Sequence, residues 1–243
     1  MDPSVCGDGL PEGIRYNAGM ANRACASIWT RNFSEETLIE QWTAFLKTVP
    51  FSSGRPGFTE LVIRAVDAAE TPIIEQDLRS GEYGAEVLAD LAREHAHSDC
   101  AYETQGFWDL WTWEEANGRW VQRPQPLRIV CYGSDFDEGI WMEQGHFLID
   151  AGFEHFFTGH AKLLGARQGQ TEPARQPEEA NFIALMSRPE NLRSYQERTR
   201  QNIRKLYDWM ARIETAVPVE RYQLWSEGEE NFEARVEAIL ASR

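Results

Sequence analysis

The stretch GFWDLWTWEEANGRWVQ, residues 106–122, carries the strongest local pattern in the sequence. Large aromatic residues alternate along both sides of Asn117-Gly118, as expected for strands that pack on a sheet. Asn-Gly favours a two-residue type I′ turn, because both central residues of that turn adopt positive φ. The stretch therefore predicts a β-hairpin whose arms hold four tryptophans, Trp108, Trp111, Trp113 and Trp120.

Further strands are predicted on both sides of this hairpin, at 24–33, 59–66, 71–78, 126–133 and 145–153. A helix is predicted from a cap at Ser34 to a stop at Pro50, and another begins near Ala85. Because strands and helices do not alternate regularly, the order predicts an α+β fold with a mixed, mainly antiparallel sheet.

The C-terminal third follows a break in composition. Residues 165–179, GARQGQTEPARQPEE, contain no apolar residue except two alanines. Beyond them, apolar residues at spacings of three and four predict a long amphipathic helix over 190–214. After Pro218, a capping box of Ser226 and Glu229 predicts the start of a final helix.

Four segments result from these boundaries. We expect an irregular N-terminal segment (1–20), an α+β sheet domain (21–165), a linker or exposed loop (166–178), and a helical region (179–243) packed on the same core.

Composition narrows the functional classes. The 243 residues carry a formal net charge of −15, which disfavours direct binding to nucleic acid because phosphate contacts need clustered Lys and Arg. No secretory signal or membrane-length apolar run is visible, and the four cysteines are too scattered for a disulfide framework. We therefore expect a soluble, cytoplasmic protein with no metal and no cofactor; the sequence leaves its oligomeric state open.

One candidate for chemistry is EHAHSDC, residues 94–100. If the helix that begins near Ala85 continues through it, His95 and His97 point about 200° apart around the axis. If that helix ends before His95, both rings could share a face near Asp99. The spacing of His95 from the apolar helix positions favours a helix terminus over a metal site.

Two other stretches hold candidate acid–base groups. YGSDFDEG (132–139) places Asp135 and Asp137 in a loop after a strand, and its spacing does not match an EF-hand. GHFLIDAGFEHFFTGH (145–160) holds His146, His155 and His160; His146 and Asp150 share one face of its strand but lie about 13 Å apart along it. These residues could meet only through neighbouring elements.

Two functional hypotheses follow. The first is an acidic protein-interaction module without catalysis, such as a bacterial inhibitor or immunity-type protein, that binds a protein partner through Trp108, Trp111, Trp113 and Trp120. The alternative is a metal-assisted or acid–base hydrolase that uses some of His95, His97, Asp135, Asp137, His146 and Asp150.

Overall fold

The fold is built on one antiparallel sheet. The structure, a computed structural model, describes residues 22–160, 163–164 and 177–242. Seven strands form a sheet in the order β3-β2-β4-β5-β6-β1-β7. Their bounds are β1 Arg23–Thr30, β2 Phe58–Ala65, β3 Ile74–Asp77, β4 Cys100–Glu114, β5 Arg119–Tyr132, β6 Phe147–Phe153 and β7 Val219–Ser226. Every pairing among these strands is antiparallel, so the α+β class is confirmed, although the sheet is antiparallel rather than mixed.

The predicted hairpin is present, but its turn differs from the expected type. The four residues between Glu114 and Arg119 form a 3₁₀ turn that ends at Gly118, with φ 56° and ψ 42°. Among the turn residues only Gly118 has positive φ, whereas a type I′ turn needs two such residues. The prediction of a two-residue type I′ turn at Asn117-Gly118 was therefore wrong.

The second arm of the hairpin is longer than predicted. β5 runs without a break from Arg119 to Tyr132 and joins the hairpin arm to the strand predicted at 126–133. Pro124 and Pro126 are tolerated inside it because β6 pairs only with Arg128–Cys131. The proline positions thus lie where β5 has no partner on that side and needs no amide donor.

The C-terminal third is not wholly helical, contrary to prediction. β7 follows Pro218 and pairs antiparallel with β1 along most of its length. The Ser226 hydroxyl accepts the N–H groups of Gly228 and Glu229, which makes a turn at the end of β7 rather than a capping box. The final helix begins later, at Phe232, after Asn231.

Helices cover one face of the sheet. Their bounds are α1 Glu35–Leu46, α2 Ala85–Ala92, α3 Trp141–Gln144, α4 His155–Thr158, α5 Pro177–Met186, α6 Pro189–Ala216 and α7 Phe232–Ala241. Buried residues of α1, α2, α6 and α7 share one hydrophobic cluster with the inward residues of the strands. The opposite face has a small cluster of Ala101, Val130 and Phe136 and is otherwise rich in ion pairs, as is common where one side of an antiparallel sheet meets water.

The long helix α6 also closes an edge of the hairpin. Beyond Gly106, the described residues give β4 no strand partner opposite to β5 apart from an isolated bridge at Trp108. The Asn202 amide accepts the N–H of Trp111 and donates to the carbonyl of Trp111, while Lys205 donates to the carbonyl of Asp109. Side chains of α6 therefore satisfy backbone groups that a neighbouring strand would otherwise pair.

The expected segment 1–20 lies outside the described residues, as does the expected linker 166–178 apart from Pro177 and Glu178, which begin α5. Within the described residues, no helix combines the length and the apolar composition needed to span a membrane.

Candidate functional site

Loops from distant parts of the chain meet at one end of the sheet. Val66 donates its N–H to the carbonyl of Asp99 and accepts from the N–H of Asp137. Asp135 donates its N–H to the carbonyl of Ser98, whose own N–H donates to the Glu35 carboxylate. We call residues 31–36, 65–72, 97–99 and 133–144 the loop face. These contacts bring together two stretches that the sequence marked separately, EHAHSDC and YGSDFDEG.

EHAHSDC is a helix terminus, as its spacing favoured. The regular helix ends at Ala92 and a 3₁₀ turn continues to His95. His97 lies beyond the turn, exposed, with Nδ1 3.9 Å from the Glu35 carboxylate. Burial, together with Asp99, raises the pKa of Cys100 to about 11, so this thiol is protonated at neutral pH. Within the described ranges no three His, Cys, Asp or Glu side chains are grouped so that they could hold a metal ion.

The backbone of the loop face is unusual. Four non-glycine residues among those described have positive φ, namely Asn32, Val66, Asp137 and Glu138, and all four lie in the loop face. Val66 has φ 74°, and the N–H of Asp67 bonds the carbonyl of Ala65, which makes Val66 the centre of a γ-turn. A β-branched residue rarely adopts this conformation. The backbone bonds to Asp99 and Asp137 hold it there.

The loop face is strongly acidic and has an apolar part. Nine carboxylates belong to it, against one arginine, Arg31; they are Glu35, Glu36, Asp67, Glu70, Asp99, Asp135, Asp137, Glu138 and Glu143. Val66 is 58% exposed and Met142 is 60% exposed. The Met142 methyl group packs over Gly139, in the loop that also bonds Val66.

A cavity of about 560 Å³ opens at the edge of the loop face and is lined in part by loop-face residues. Its floor includes His146, which is buried between two parallel aromatic rings, Phe33 at 4.3 Å and Trp141 at 4.4 Å between centroids. The other lining residues are Thr30, Arg31, Asn32, Ser134 and Glu220. Trp141 is fixed by its indole N–H, which donates to the carbonyl of Ser134.

Local backbone packing determines where His146 lies. Gly145 approaches β1 so closely that a Cβ on it would lie 2.6 Å from the amide nitrogen of Ile28, and its φ of 85° also favours glycine. The carbonyl of His146 accepts the N–H of Tyr132 at 2.9 Å. The residue is therefore held between the ends of β1 and β5.

The protonation state of His146 follows from its contacts. Its Nδ1 accepts the backbone N–H of Thr30 at 3.0 Å, so the neutral ring carries its proton on Nε2. Burial lowers the pKa of His146 to about 4, which keeps the ring neutral at pH 7. Nε2 has no hydrogen-bond partner among the described residues and is not among their sealed unpaired polar atoms. It is thus an accessible donor in a cavity.

The other predicted acid–base residues lie in separate places. Asp150 forms an ion pair with Arg23 at 2.8 Å and accepts the N–H of Gly152. Asp135 is exposed and Asp137 is half-buried, both in the loop face. His95, His97, Asp135 and Asp137 therefore share one end of the sheet with His146, whereas Asp150 belongs to an ion pair on β6.

The tryptophans of the hairpin pack mainly against the protein itself. Trp108 is fully buried against Phe157 and Trp209. Its assignment to a binding surface was wrong, because its ring points into the core. The other three are partly buried: Trp111 lies under the Arg198 guanidinium at 3.8 Å, and Trp113 packs on Trp120, which stacks on Tyr195.

A second histidine pair lies near the hairpin. The rings of His155 and His160 are 4.3 Å apart, and His160 Nδ1 is 2.9 Å from the Tyr195 hydroxyl. Burial lowers the pKa of His160 to about 4, and burial with the neighbouring His160 and Arg23 lowers the pKa of His155 well below its usual range. Both rings are therefore neutral at pH 7.

Four residues of the loop face and cavity were not predicted from the sequence: Phe33, Val66, Trp141 and Glu220. Phe33 ends a predicted strand and Trp141 follows a predicted loop, which are weak signals, whereas the positive φ of Val66 has no signature in a β-branched residue. Glu220 was missed together with β7.

Comparisons of the chain with protein-family models, with curated proteins and with solved structures find no significant match.

Proposed function

We propose that this chain is a protein-interaction module that binds a basic protein partner through the loop face. The observation that carries the proposal is that the loop face combines two exposed apolar side chains, Val66 and Met142, with nine carboxylates and a single arginine. Apolar groups at the centre of an interface supply binding energy, and charged groups around them select the partner and speed its approach.

Charge complementarity determines the class of partner. A formal net charge of −15 repels acidic proteins and attracts basic ones over long distances. Few loop-face carboxylates are neutralised locally. Among the described residues Arg31 forms no ion pair, and the Glu35 carboxylate has only the imidazole of His97 at 3.9 Å as a possible cationic partner. A partner that presents lysines and arginines around an apolar pocket would complement both features.

The loop face is also organised before binding. Backbone hydrogen bonds link Val66 to Asp99 and to Asp137, and Ser98 to Asp135. Preorganised loops lose less conformational entropy on association than free ones, which increases affinity. This replaces the tryptophan surface of the sequence analysis with a surface that is exposed.

The hydrolase alternative receives less support from the cavity. The lone pair of His146 lies on Nδ1, which already accepts the Thr30 N–H. Its Nε2 carries a proton, so the ring is a hydrogen-bond donor and lacks a free basic nitrogen to take a proton from water at neutral pH.

The experiment is a quantitative affinity capture with matched variants. The immobilised chain is compared with Val66→Asn/Met142→Gln, in which asparagine tolerates positive φ and both apolar groups are removed. The control is Val87→Gln/Leu91→Gln, which removes two exposed apolar side chains from α2. We expect a basic protein to be captured by the native chain and the control, and about tenfold less by the loop-face variant.

The captured protein is then purified and its affinity measured by calorimetry at low and high salt. Binding that weakens with salt and with the loop-face substitutions supports the proposal. Capture that is equal for all variants, capture of only acidic proteins, or no capture at all would contradict it.

A further inference from the structure

We propose that the cavity beside His146 is a binding site for a small zwitterion of the α-amino-acid type, with a carboxylate, an ammonium group and an apolar body. The cavity shares part of its lining with the loop face, including Arg31 and Trp141, but the inference concerns a different class of ligand and does not depend on a protein partner. It rests on three features of the cavity: a fixed donor, two unpaired charges of opposite sign, and an aromatic wall.

The fixed donor is Nε2 of His146. His146 is 6% exposed, and its ring is held by two stacked aromatic rings and by the Thr30 N–H, so its orientation is set before any ligand arrives. Because Nε2 is accessible from the cavity and has no protein partner among the described residues, it can donate to an acceptor oxygen of a ligand without breaking a protein hydrogen bond. A ligand of this cavity should therefore carry a hydrogen-bond acceptor that can bind Nε2.

The two unpaired charges are those of Arg31 and Glu220. Both line the cavity, and neither side chain forms an ion pair or a hydrogen bond with any described residue. Arg31 follows β1 and Glu220 lies on the neighbouring β7, so the two strands bring one cation and one anion to the same opening. A carboxylate would pair with Arg31 and accept from His146, while an ammonium group would pair with Glu220.

The aromatic wall favours an apolar body on the ligand. Phe33 and Trp141 contribute apolar ring surface to the cavity, and the bond from Trp141 to Ser134 limits its movement. A cavity of about 560 Å³ is large enough for an amino acid with a sizeable side chain.

The test uses three related probes and isothermal titration calorimetry on the full chain. L-Phenylalanine has all three groups, phenylalanine amide lacks the carboxylate, and 3-phenylpropanoate lacks the ammonium group. L-Leucine is included as a second zwitterion with a different apolar body. We expect at least one of the two zwitterions to bind one-to-one at millimolar concentrations. If L-phenylalanine binds, the two truncated probes should bind at least about tenfold more weakly than it does.

Matched variants connect binding to the residues. Arg31→Gln should weaken binding of the zwitterion about tenfold and leave binding of phenylalanine amide unchanged. Glu220→Gln should also weaken binding of the zwitterion about tenfold, but leave binding of 3-phenylpropanoate unchanged. His146→Asn retains an acceptor near Nδ1 for the Thr30 N–H but removes the Nε2 donor, so it should weaken carboxylate-bearing probes. The controls Arg212→Gln and Glu230→Gln change exposed charges outside the cavity lining.

The proposal is overturned if neither zwitterion binds, or if the cavity variants and the control variants bind alike. Either result leaves the capture experiment on the loop face unaffected, and a failure of that experiment leaves this one unaffected. Thermal unfolding of each variant checks that loss of binding does not reflect loss of folding.

Discussion

At the scale of single residues, His146 shows how packing turns a titratable group into a fixed donor. Free histidine would be partly protonated just below neutral pH, but this ring is stacked between Phe33 and Trp141 and accepts a backbone N–H. Protonation would place a second hydrogen between Nδ1 and the Thr30 amide. The neutral state is therefore a structural requirement of the cavity.

The first prediction concerns the pH dependence of stability. The pKa of His146 is about 4 in the folded chain and near 6.5 when unfolded, so the unfolded state binds more protons between these values. Stability is then lost as pH falls from about 6.5 towards 4, and His146 alone contributes on the order of 3 kcal/mol to that loss. His155 and His160 act in the same direction.

Urea unfolding of the native chain and of His146→Asn at a series of pH values measures this contribution. The variant should be less stable at pH 7, because the stacked ring is lost, and the difference should narrow towards pH 4.5. A difference that stays constant or widens as pH falls would contradict the assignment of a neutral, buried His146.

At the scale of secondary-structure elements, the hairpin and α6 depend on one another. The amphipathic pattern predicted α6, but it did not reveal that Asn202 lies on the buried side and bonds the backbone of Trp111 and Phe156. An asparagine on the apolar side of an amphipathic helix predicts a buried hydrogen bond, because its amide needs partners. Which backbone groups supply them depends on how α6 crosses the hairpin.

The second prediction is that Asn202→Ala destabilises the chain by about 2–3 kcal/mol, since it leaves the Trp111 N–H and two carbonyls without partners in a buried place. Asn202→Asp keeps the acceptor for the Trp111 N–H but loses both donors, and should also destabilise. Asn117→Ala, at the exposed hairpin turn, serves as the control and should change stability by less than about 1 kcal/mol. Urea unfolding gives all three values, and equal stability of Asn202→Ala and the control would contradict the role of Asn202.

At the scale of the whole molecule, the sequence allowed the fold class and most elements to be predicted. Hydrophobic alternation and helical periodicity are local signals, so the hairpin, α1 and α6 were all found. β7 was missed because its burial pattern is set by pairing with β1, nearly two hundred residues away along the chain. The cavity was missed for the same reason: His146 was identified, but Phe33, Arg31 and Glu220 join it only through the sheet.

Whole-molecule charge leads to the last prediction. With a net charge of −15 and nine carboxylates in the loop face, repulsion between like charges opposes folding. Salt screens this repulsion over distances of about 8–10 Å at physiological ionic strength, so added sodium chloride should raise the urea midpoint at pH 7.

The variant Asp135→Asn/Glu138→Gln removes two loop-face charges and should be more stable than the native chain at low salt, with a smaller response to salt. The control Glu114→Gln removes a carboxylate that bonds Arg119 and Arg123, so it should lower stability instead. If both variants were less stable to the same degree, or if salt lowered the midpoint, attractive contacts of the loop-face carboxylates would outweigh their mutual repulsion. These carboxylates would then carry little uncompensated negative charge for a basic partner to bind.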